Sequence, residues 1–317
     1  MHYRVVTLLF LFLFRPLSAL ATDALPSYSM HEEVTASYTS VGSDTLAYLM
    51  SFWIVEFKRW HPAAHGQIEA AGSATAPLAL MEDRAQFGPM SREMNARERK
   101  AFFEKFGYEP TRYRVAQDAL AIYTPRENPI QGLALPQVDA IFSVESRCGF
   151  GGTVGAWGAL GLRGELGAQA IMLFGRNLLS GTRAFFAEHA LCGGRYKPSL
   201  KMQPSSADVV QRVASAANAI GYSGIGYKNP RVRAVPLARR IGEPFVEPTE
   251  ENVRNGRYPL ARFLYIYVNK PPGQRLTPLQ REFLSMVLSE RGQRWVANDG
   301  FIPLDRATIL EERARLD

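Results

Sequence analysis

The stretch AIMLFGRNLLSGTRAFFAEHAL at residues 170–191 decides the fold class. Its first five residues, 170–174, form a compact apolar run that predicts a buried β-strand. A loop that contains glycine and serine follows at residues 175–181, and the segment from Thr182 to Leu191 is predicted to form a helix. A strand that leads through a short loop into a helix is the repeating unit of α/β proteins.

The same order of strand, loop and helix recurs along the chain. Apolar residues at spacings of three and four predict an amphipathic helix at residues 45–60, which Pro62 ends. Further helices are predicted at residues 77–83, 95–106, 206–217 and 278–289, with a helix beginning near 133 and a last helix around Trp295. Further strands are predicted at residues 67–70, 85–88, 115–123, 219–226 and 263–269. The alternation predicts an α/β fold with mostly parallel sheets, in which ligands bind where strands lead into helices.

The composition is that of a globular chain with a large core. The 317 residues are 46% hydrophobic and 21% charged, which excludes a disordered chain, a fibrous repeat and a small disulfide-stapled scaffold. The length fits one large domain or two lobes of about 150 residues each. The net charge of +7 is spread along the chain without a long basic run. It favours anionic partners and does not indicate nucleic-acid binding.

The first 21 residues have the features of a signal peptide. Arg4 precedes an apolar run at residues 5–14, and a short segment of small residues ends in Ala19, Leu20 and Ala21. This order predicts cleavage near Ala21 and an exported protein, periplasmic or secreted. The apolar run is too short to span a bilayer.

The two cysteines, Cys148 and Cys192, are expected to form a disulfide, because an even pair in an oxidising compartment is normally oxidised. Two buried free thiols are the alternative. A metal site is not supported, since two cysteines without a nearby histidine cluster cannot complete a tetrahedral shell.

Four loops at predicted helix starts share a design of glycine, serine and threonine. They are Gly42-Ser43-Asp44-Thr45, Gly72-Ser73-Ala74-Thr75, Ser91-Arg92 and Ser180-Gly181-Thr182. A helix N-terminus offers unpaired N–H groups and the positive end of the helix dipole, so converging termini form a site for a small oxyanion. Arg176 precedes Ser180 by four residues and adds a fixed charge. The alternative for any single loop is that its serine or threonine is only a helix cap.

Nine segments between residues 38 and 304 resemble a known family in their order and spacing. They are VGSDTLAYLM (41–50), AAGSATAP (70–77), FGPMSREM (87–94), VAQDALAIYT (115–124), VDAIF (138–142), LFGRNLLSGTRAFF (173–186), AIGYSGIGY (219–227), YPLARFLYIYVNK (258–270) and DGFIPL (299–304). In these segments the chain resembles the phosphate-binding proteins of bacterial high-affinity phosphate ABC transporters, which have the type-2 periplasmic binding protein fold.

The resemblance implies two α/β lobes with a ligand cleft between them, in which phosphate is clamped. Two crossing segments, near residues 115–124 and 258–269, would join the lobes. Lobe 1 would be discontinuous and consist of residues 22–124 plus 263–317, and lobe 2 would be residues 125–262. Both cysteines would then fall in lobe 2.

The resemblance also implies a set of phosphate ligands. They are Thr45, Leu46 through its backbone N–H, Ser73, Ser91, Arg176, Ser180, Gly181 and Thr182. This chain departs from the family at two positions where many members have aspartate, because it has Ser91 and Leu178 there. The change at Leu178 removes an expected carboxylate partner of Arg176 and would leave more positive charge in the cleft.

The change at Ser91 raises the question of which group accepts the hydrogen bond from a proton on phosphate. A buried acceptor of this kind discriminates against sulfate, which has no such proton. We hypothesise that Asp44 is the acceptor, with Ser91 as the alternative. The alternative role for Asp44 is that of N-cap of the first helix.

The resemblance implies the substrate-binding component of a phosphate ABC import system, with inorganic phosphate as its ligand and membrane permease subunits as partners. The alternative is a secreted phosphate- or oxyanion-binding protein used for sensing, adhesion or biofilm formation. An enzyme such as a phosphatase needs a metal cluster or an activated nucleophile, and the sequence indicates neither. We therefore expect a non-enzymatic monomer without catalytic residues, metal, cofactor or nucleic-acid partner.

Overall fold

Strands and helices alternate along residues 24–316, the part of the chain that the computed structural model describes. The strands are β1 (Ser37–Val41), β2 (His65–Glu69), β3 (Gly88–Met90), β4 (Thr111–Pro125), β5 (Leu133–Ala134), β6 (Met172–Arg176), β7 (Lys201–Gln203), β8 (Ala219–Gly224), β9 (Val232–Val235), β10 (Leu237–Ala238) and β11 (Ala261–Val268). The helices are α1 (Ala47–Trp60), α2 (Ala76–Met81), α3 (Ala96–Phe106), α4 (Leu135–Phe142), α5 (Gly164–Ala168), α6 (Gly181–Ala190), α7 (Ser206–Val213), α8 (Glu250–Arg254), α9 (Pro278–Val287), α10 (Glu290–Asn298) and α11 (Arg306–Arg313).

The predicted signal peptide, residues 1–21, lies outside the described residues. Within residues 24–316, no helix combines the length and the apolar character that a membrane crossing requires.

The helices predicted from apolar spacing are present, with ends that differ by a few residues. The predicted helix at 45–60 is α1, which is preceded by a 3-10 turn at Asp44–Leu46. The expectation that the helix around Trp295 is the last one is wrong, because α11 follows it. Ile309 of α11 is buried in the same core as α1, and this contact explains why the short helix is stable.

The largest sheet within residues 24–316 has seven strands in the order β3-β11-β4-β8-β6-β7, with β9 also beside β4. β6 is parallel to β7 and β8, whereas β4 and β11 are antiparallel to each of their neighbours. The expectation of mostly parallel sheets is therefore wrong for this sheet. Parallel pairing follows from a helical crossover between successive strands, and β4 and β11 instead run in opposite directions through the middle of the molecule.

Among the described residues, the two largest apolar cores include successive parts of these two strands. Ala116 of β4 and Leu264 of β11 pack in the first core, while Ala119 of β4 and Leu260, just before β11, pack in the second. We call the chain around the first core lobe 1 (β1–β3, α1–α3, α9–α11) and the chain around the second lobe 2 (β5–β10, α4–α8). The lobe boundaries at residues 124/125 and 262/263 stay a prediction.

The expected disulfide between Cys148 and Cys192 is present in lobe 2, with the two Cα atoms 5.6 Å apart. It joins the loop after α4 to the residues after α6. Asp139 of α4 accepts a hydrogen bond from the backbone N of Cys148 at 2.6 Å, which holds the same loop from a second side.

Candidate functional site

Three loops of lobe 1 are tied together by backbone hydrogen bonds. Ser43 N, after β1, donates to Pro89 O at 2.8 Å, and Gly72 N, after β2, donates to Gly42 O at 2.8 Å. Position 42 requires glycine, because a Cβ atom there would lie 2.2 Å from Pro89 O. The loops therefore hold the starts of the turns before α1 and α2 in fixed positions.

The loop between β6 and α6 brings lobe 2 into contact with these loops. Leu179 O accepts a hydrogen bond from Ala74 N at 3.1 Å, which joins the two lobes directly. Ser180 is the N-cap of α6 and is buried. A Cβ atom at Gly181 would lie 2.2 Å from the Oγ of Ser73, so glycine is needed for the lobes to come this close.

Four buried hydroxyl groups from the two lobes meet at this contact. The Oγ1 atoms of Thr45 and Thr182 are 3.0 Å apart, and Ser91 Oγ lies 3.5 Å from Thr182 Oγ1. Ser73 Oγ lies 3.3 Å from Ser91 Oγ and accepts a hydrogen bond from Ser91 N at 3.1 Å. The structure thus brings four of the predicted ligands together, three from lobe 1 and Thr182 from lobe 2. Each hydroxyl has one proton to donate.

The remaining predicted loop residues lie beside this cluster. Leu46 is buried at the end of the 3-10 turn before α1, and Ser180 and Gly181 open α6. The ligand roles of all these residues stay predictions.

Arg176, at the end of β6, has a fully buried side chain. It forms an ion pair with Asp44, and its Nη1 donates to Ser206 Oγ at 2.7 Å. Its Nη2 also donates to Pro204 O at 2.9 Å. Its Nε is buried and has no hydrogen-bond partner within residues 24–316. Because an unpaired buried donor on a charged group is costly, this N–H is suited to a ligand oxygen.

Asp44 supplies the carboxylate that the sequence analysis expected to be missing beside Arg176. Its Oδ1 pairs with Arg176, and its Oδ2 accepts a hydrogen bond from Ser206 N at 2.8 Å. Arg176 is therefore paired with a carboxylate although position 178 has leucine, and the expectation of more positive charge in the cleft than in the family stays a prediction. Leu178, in place of the family aspartate, is 74% exposed.

The N-cap role of Asp44 is also wrong, because Ser43 accepts the hydrogen bond from Thr45 N at 3.2 Å. The hypothesis that Asp44 accepts a proton of phosphate stays a prediction. Each of its carboxylate oxygens has a second lone pair available for such a bond.

Sequence reasoning missed a buried ion pair, of which one member contacts the hydroxyl cluster. Arg262 Nη2 donates to Thr182 Oγ1 at 3.0 Å, and Arg262 is paired with Asp118 across β4 and β11. The available signal was a single charge in each of two mainly apolar strand segments, Asp118 within residues 115–124 and Arg262 within residues 258–268.

Tyr227 of lobe 2 forms hydrogen bonds with the loop after β1 of lobe 1. Its hydroxyl is within 2.8 Å of Asp44 O and 3.2 Å of Thr45 O, to which it donates. Burial raises the pKa of Tyr227, so the hydroxyl keeps its proton and remains a donor.

The charges and hydrogen-bond donors of the site together suit a small anion. Both carboxylates beside it, Asp44 and Asp118, are paired with arginines, while the hydroxyls and Arg176 Nε provide donors. Convergent donors at helix starts bind oxyanions.

Comparisons with known proteins agree on the kind of protein to which this chain is similar. A family model described as a PBP superfamily domain matches residues 29–291. The phosphate-binding protein PstS of Pseudomonas aeruginosa is 53% identical to the chain over 281 residues, which cover 89% of this chain and 87% of that protein.

Solved structures have the same architecture. A chain described as a phosphate ABC transporter substrate-binding protein of Clostridium perfringens, solved with bound phosphate, has a TM-score of 0.71 at 26% identity. The match covers 85% of this chain and all of that one, 100%. An ABC-type phosphate transport receptor of Vibrio cholerae has a TM-score of 0.65 at 21% identity, over 84% of this chain and 100% of that one. The second likeness concerns the fold alone.

Proposed function

This chain belongs to the PBP superfamily and to the PstS family of phosphate-binding proteins, and from this premise we propose that it is the phosphate-binding component of a phosphate ABC import system. The predicted two-lobed type-2 periplasmic binding protein fold is confirmed. The chain is a binding protein and not an enzyme.

The main support for the proposal is the meeting of donors from both lobes around one point. Thr45, Ser73 and Ser91 approach from lobe 1 and Thr182 from lobe 2, with separations of 3.0 to 3.5 Å between neighbouring hydroxyls. A tetrahedral oxyanion has four oxygens that accept such bonds in different directions, so it can contact both lobes at once.

Arg176 provides the charge that distinguishes an anion from a neutral guest. Its Nη atoms are held by Asp44, Ser206 and the Pro204 carbonyl, so the guanidinium cannot turn away. The buried Nε–H has no partner among the described residues, so a charged donor remains for a phosphate oxygen.

No bond is broken in this mechanism. The unliganded protein exchanges between open and closed forms, and phosphate stabilises the closed form because it contacts both lobes only there. Closure presents a surface formed by the two lobes to the membrane permease subunits, which release the ligand for transport.

Export completes the proposal. The signal peptide at residues 1–21 directs the chain to the periplasm, where it acts as a monomer and the disulfide in lobe 2 is stable.

The binding proposal is tested by calorimetric titration of residues 22–317 with phosphate, arsenate, sulfate and molybdate, from mildly acidic to mildly alkaline pH. We expect saturable binding of one phosphate per chain and weaker binding of sulfate. A chain that binds none of these anions, or binds sulfate more tightly, contradicts the proposal.

The transport role is tested in the source cells. Deletion of the gene should lower uptake of radioactive phosphate from dilute medium, and the wild-type gene should restore it. The matched control is a gene with Arg176→Ala, which should fail to restore uptake although the protein is exported. Normal uptake after deletion would favour the sensing or adhesion alternative.

A further inference from the structure

A buried ion pair joins the two strands that pass between the lobes. Asp118 of β4 and Arg262 of β11 are direct cross-strand partners, and their side chains are 0% and 2% exposed. Arg262 donates to Asp118 Oδ2 from Nε at 2.9 Å and from Nη2 at 2.7 Å. An apolar pair of similar size is often as stable or more stable at a buried site, so stability alone does not explain these charges.

The pair lies where the chain passes from one core to the other. On β4 the first core ends at Ala116 and the second begins at Ala119. On the other strand, Leu264 belongs to the first core and Leu260 to the second. The ion pair therefore stands at the joint of the two lobes and belongs to strands that both lobes share.

The remaining N–H groups of Arg262 reach into both lobes. Its Nη1 donates to Ser91 O of lobe 1 at 2.9 Å, and its Nη2 donates to Thr182 Oγ1 of lobe 2 at 3.0 Å. Asp118 Oδ1 accepts a hydrogen bond from Ile225 N of lobe 2 at 3.0 Å. One guanidinium thus contacts a loop of each lobe that carries a predicted phosphate ligand.

The contact with Thr182 determines the direction of its hydroxyl proton. A guanidinium cannot accept a hydrogen bond, so the bond from Arg262 occupies an acceptor position on Thr182 Oγ1. The threonine proton must then point elsewhere, towards Thr45 Oγ1 at 3.0 Å, towards Ser91 Oγ at 3.5 Å or towards a bound anion. Hydrogen bonds in series polarise one another, so the charged donor also strengthens Thr182 as a donor.

We propose that Arg262, held by Asp118, is a positioning residue that fixes the Thr182 hydroxyl as a donor to the bound anion and couples this donor to closure of the lobes. The inference rests on the proposed phosphate-binding function and adds residues outside the predicted ligand set. The Arg262–Asp118 pair lies on the shared strands and persists in the open form. The bond to Thr182 forms only when lobe 2 closes.

A double-mutant cycle with Arg262→Lys and Thr182→Val tests the coupling. Lysine keeps the positive charge beside Asp118 but cannot hold Asp118, Ser91 O and Thr182 together. Each single substitution should lower phosphate affinity about tenfold, because a charged or ligand hydrogen bond is lost. In the Thr182→Val protein, Arg262→Lys should cost no more than about twofold further, because residues that act through one contact are not additive.

Arg114→Lys is the matched control. Arg114 lies on the same strand as Asp118 and is paired with Glu312 in lobe 1, away from the hydroxyl cluster. It should leave phosphate affinity within about twofold in both backgrounds, since distant sites are independent. Melting temperatures of all variants show whether they are folded, and Asp118→Asn replaces Arg262→Lys in the cycle if the lysine variant does not fold.

Equal losses from Arg262→Lys in the wild-type and Thr182→Val backgrounds would overturn the inference, as would unchanged affinity in Arg262→Lys. These outcomes leave the proposed function intact, because the wild-type chain still binds phosphate. Absence of phosphate binding by the wild-type chain would overturn both.

Discussion

Two buried arginine–aspartate pairs flank the hydroxyl cluster, and they differ in where their partners come from. Arg176 of lobe 2 meets Asp44 of lobe 1, so this pair exists only while the lobes are together. Arg262 and Asp118 are neighbours across two hydrogen-bonded strands, so their pairing does not depend on the lobes. The first pair therefore contributes to closure of the lobes, whereas the second stabilises the two strands that both lobes share.

The largest effect is expected from removing the arginine of the pair between the lobes. Arg176→Ala should weaken phosphate binding by at least about 2 kcal/mol, because a buried charged donor is lost and Asp44 is left unpaired. Titration calorimetry measures the loss. Arg233→Ala is the control, since Arg233 also lies in lobe 2 and donates to backbone carbonyls away from the cleft, at Asn128 and Ile130. Wild-type affinity in Arg176→Ala would remove Arg176 from the site.

The next largest effect should come from keeping the lobes apart. Gly181→Ala places a Cβ 2.2 Å from Ser73 Oγ and 2.7 Å from Ser91 Oγ, so closure must be impaired. We expect phosphate affinity to fall about tenfold or more, because phosphate contacts both lobes only in the closed form and the substitution makes that form less populated. Thermal unfolding without phosphate should be nearly unchanged. In the control Gly155→Ala the new Cβ meets no atom within 4 Å, and affinity should stay at the wild-type value.

A smaller effect, on the preference for phosphate over sulfate, should distinguish Asp44 from Asp118. If Asp44 accepts the hydrogen bond from the proton of phosphate, Asp44→Asn should lower the ratio of phosphate to sulfate affinity by about fivefold, since the amide keeps only one uncharged acceptor oxygen in place of two carboxylate oxygens. Asp118→Asn should reduce both affinities alike and leave the ratio unchanged. Competition titrations with phosphate and sulfate measure this ratio of affinities. An unchanged ratio in Asp44→Asn would assign the acceptor role to Ser91.

The smallest effect on phosphate affinity is expected from a buried cluster away from the cleft. It shows what a change in stability alone does to binding. His61 Nδ1 accepts a hydrogen bond from Val34 N at 3.1 Å, and its Nε2 lies 2.8 Å from Tyr28 OH, which donates to Glu282. Burial lowers the pKa of His61 below its ordinary value of 6.5. The unfolded chain therefore binds this proton first as the pH falls.

Stability from His61 is fully present above pH 6.5 and is lost as the pH falls below it towards the lower folded-state pKa. Melting temperatures measured above and below that pH should differ by a few degrees more in the wild type than in His61→Gln. Phosphate affinity should not follow this difference. Identical pH dependence in the two proteins would show that His61 does not carry it.

Local patterns in the sequence predict much of the fold. The apolar spacing that gives the helix at 45–60 is a property of neighbouring residues, and the strand predicted at 263–269 is apolar or aromatic from Phe263 to Val268. The short strands β5, β7 and β10 have two or three residues each and no pattern of their own. The antiparallel direction of β4 and β11 depends on the path of the whole chain, which apolar spacing does not encode.

The same limit applies to the site. Loops of glycine, serine and threonine at helix starts are visible in the sequence, and the structure brings Thr45, Ser73, Ser91 and Thr182 together. The Arg262–Asp118 pair joins residues separated by 144 positions and requires the register of two strands. The link between Asp44 and Arg176 likewise requires the approach of the lobes.

β4 is a single strand of 15 residues, Thr111–Pro125, that pairs with β11 in its first part and with β8 and β9 in its second. Any motion of one half of the molecule against the other must bend this strand together with its hydrogen-bonded neighbour. We expect the hydrogen bonds along these paired strands to oppose such bending. Substitutions that change the pairing of β4 with β11 should therefore change the rate of ligand exchange without altering any residue that contacts the ligand.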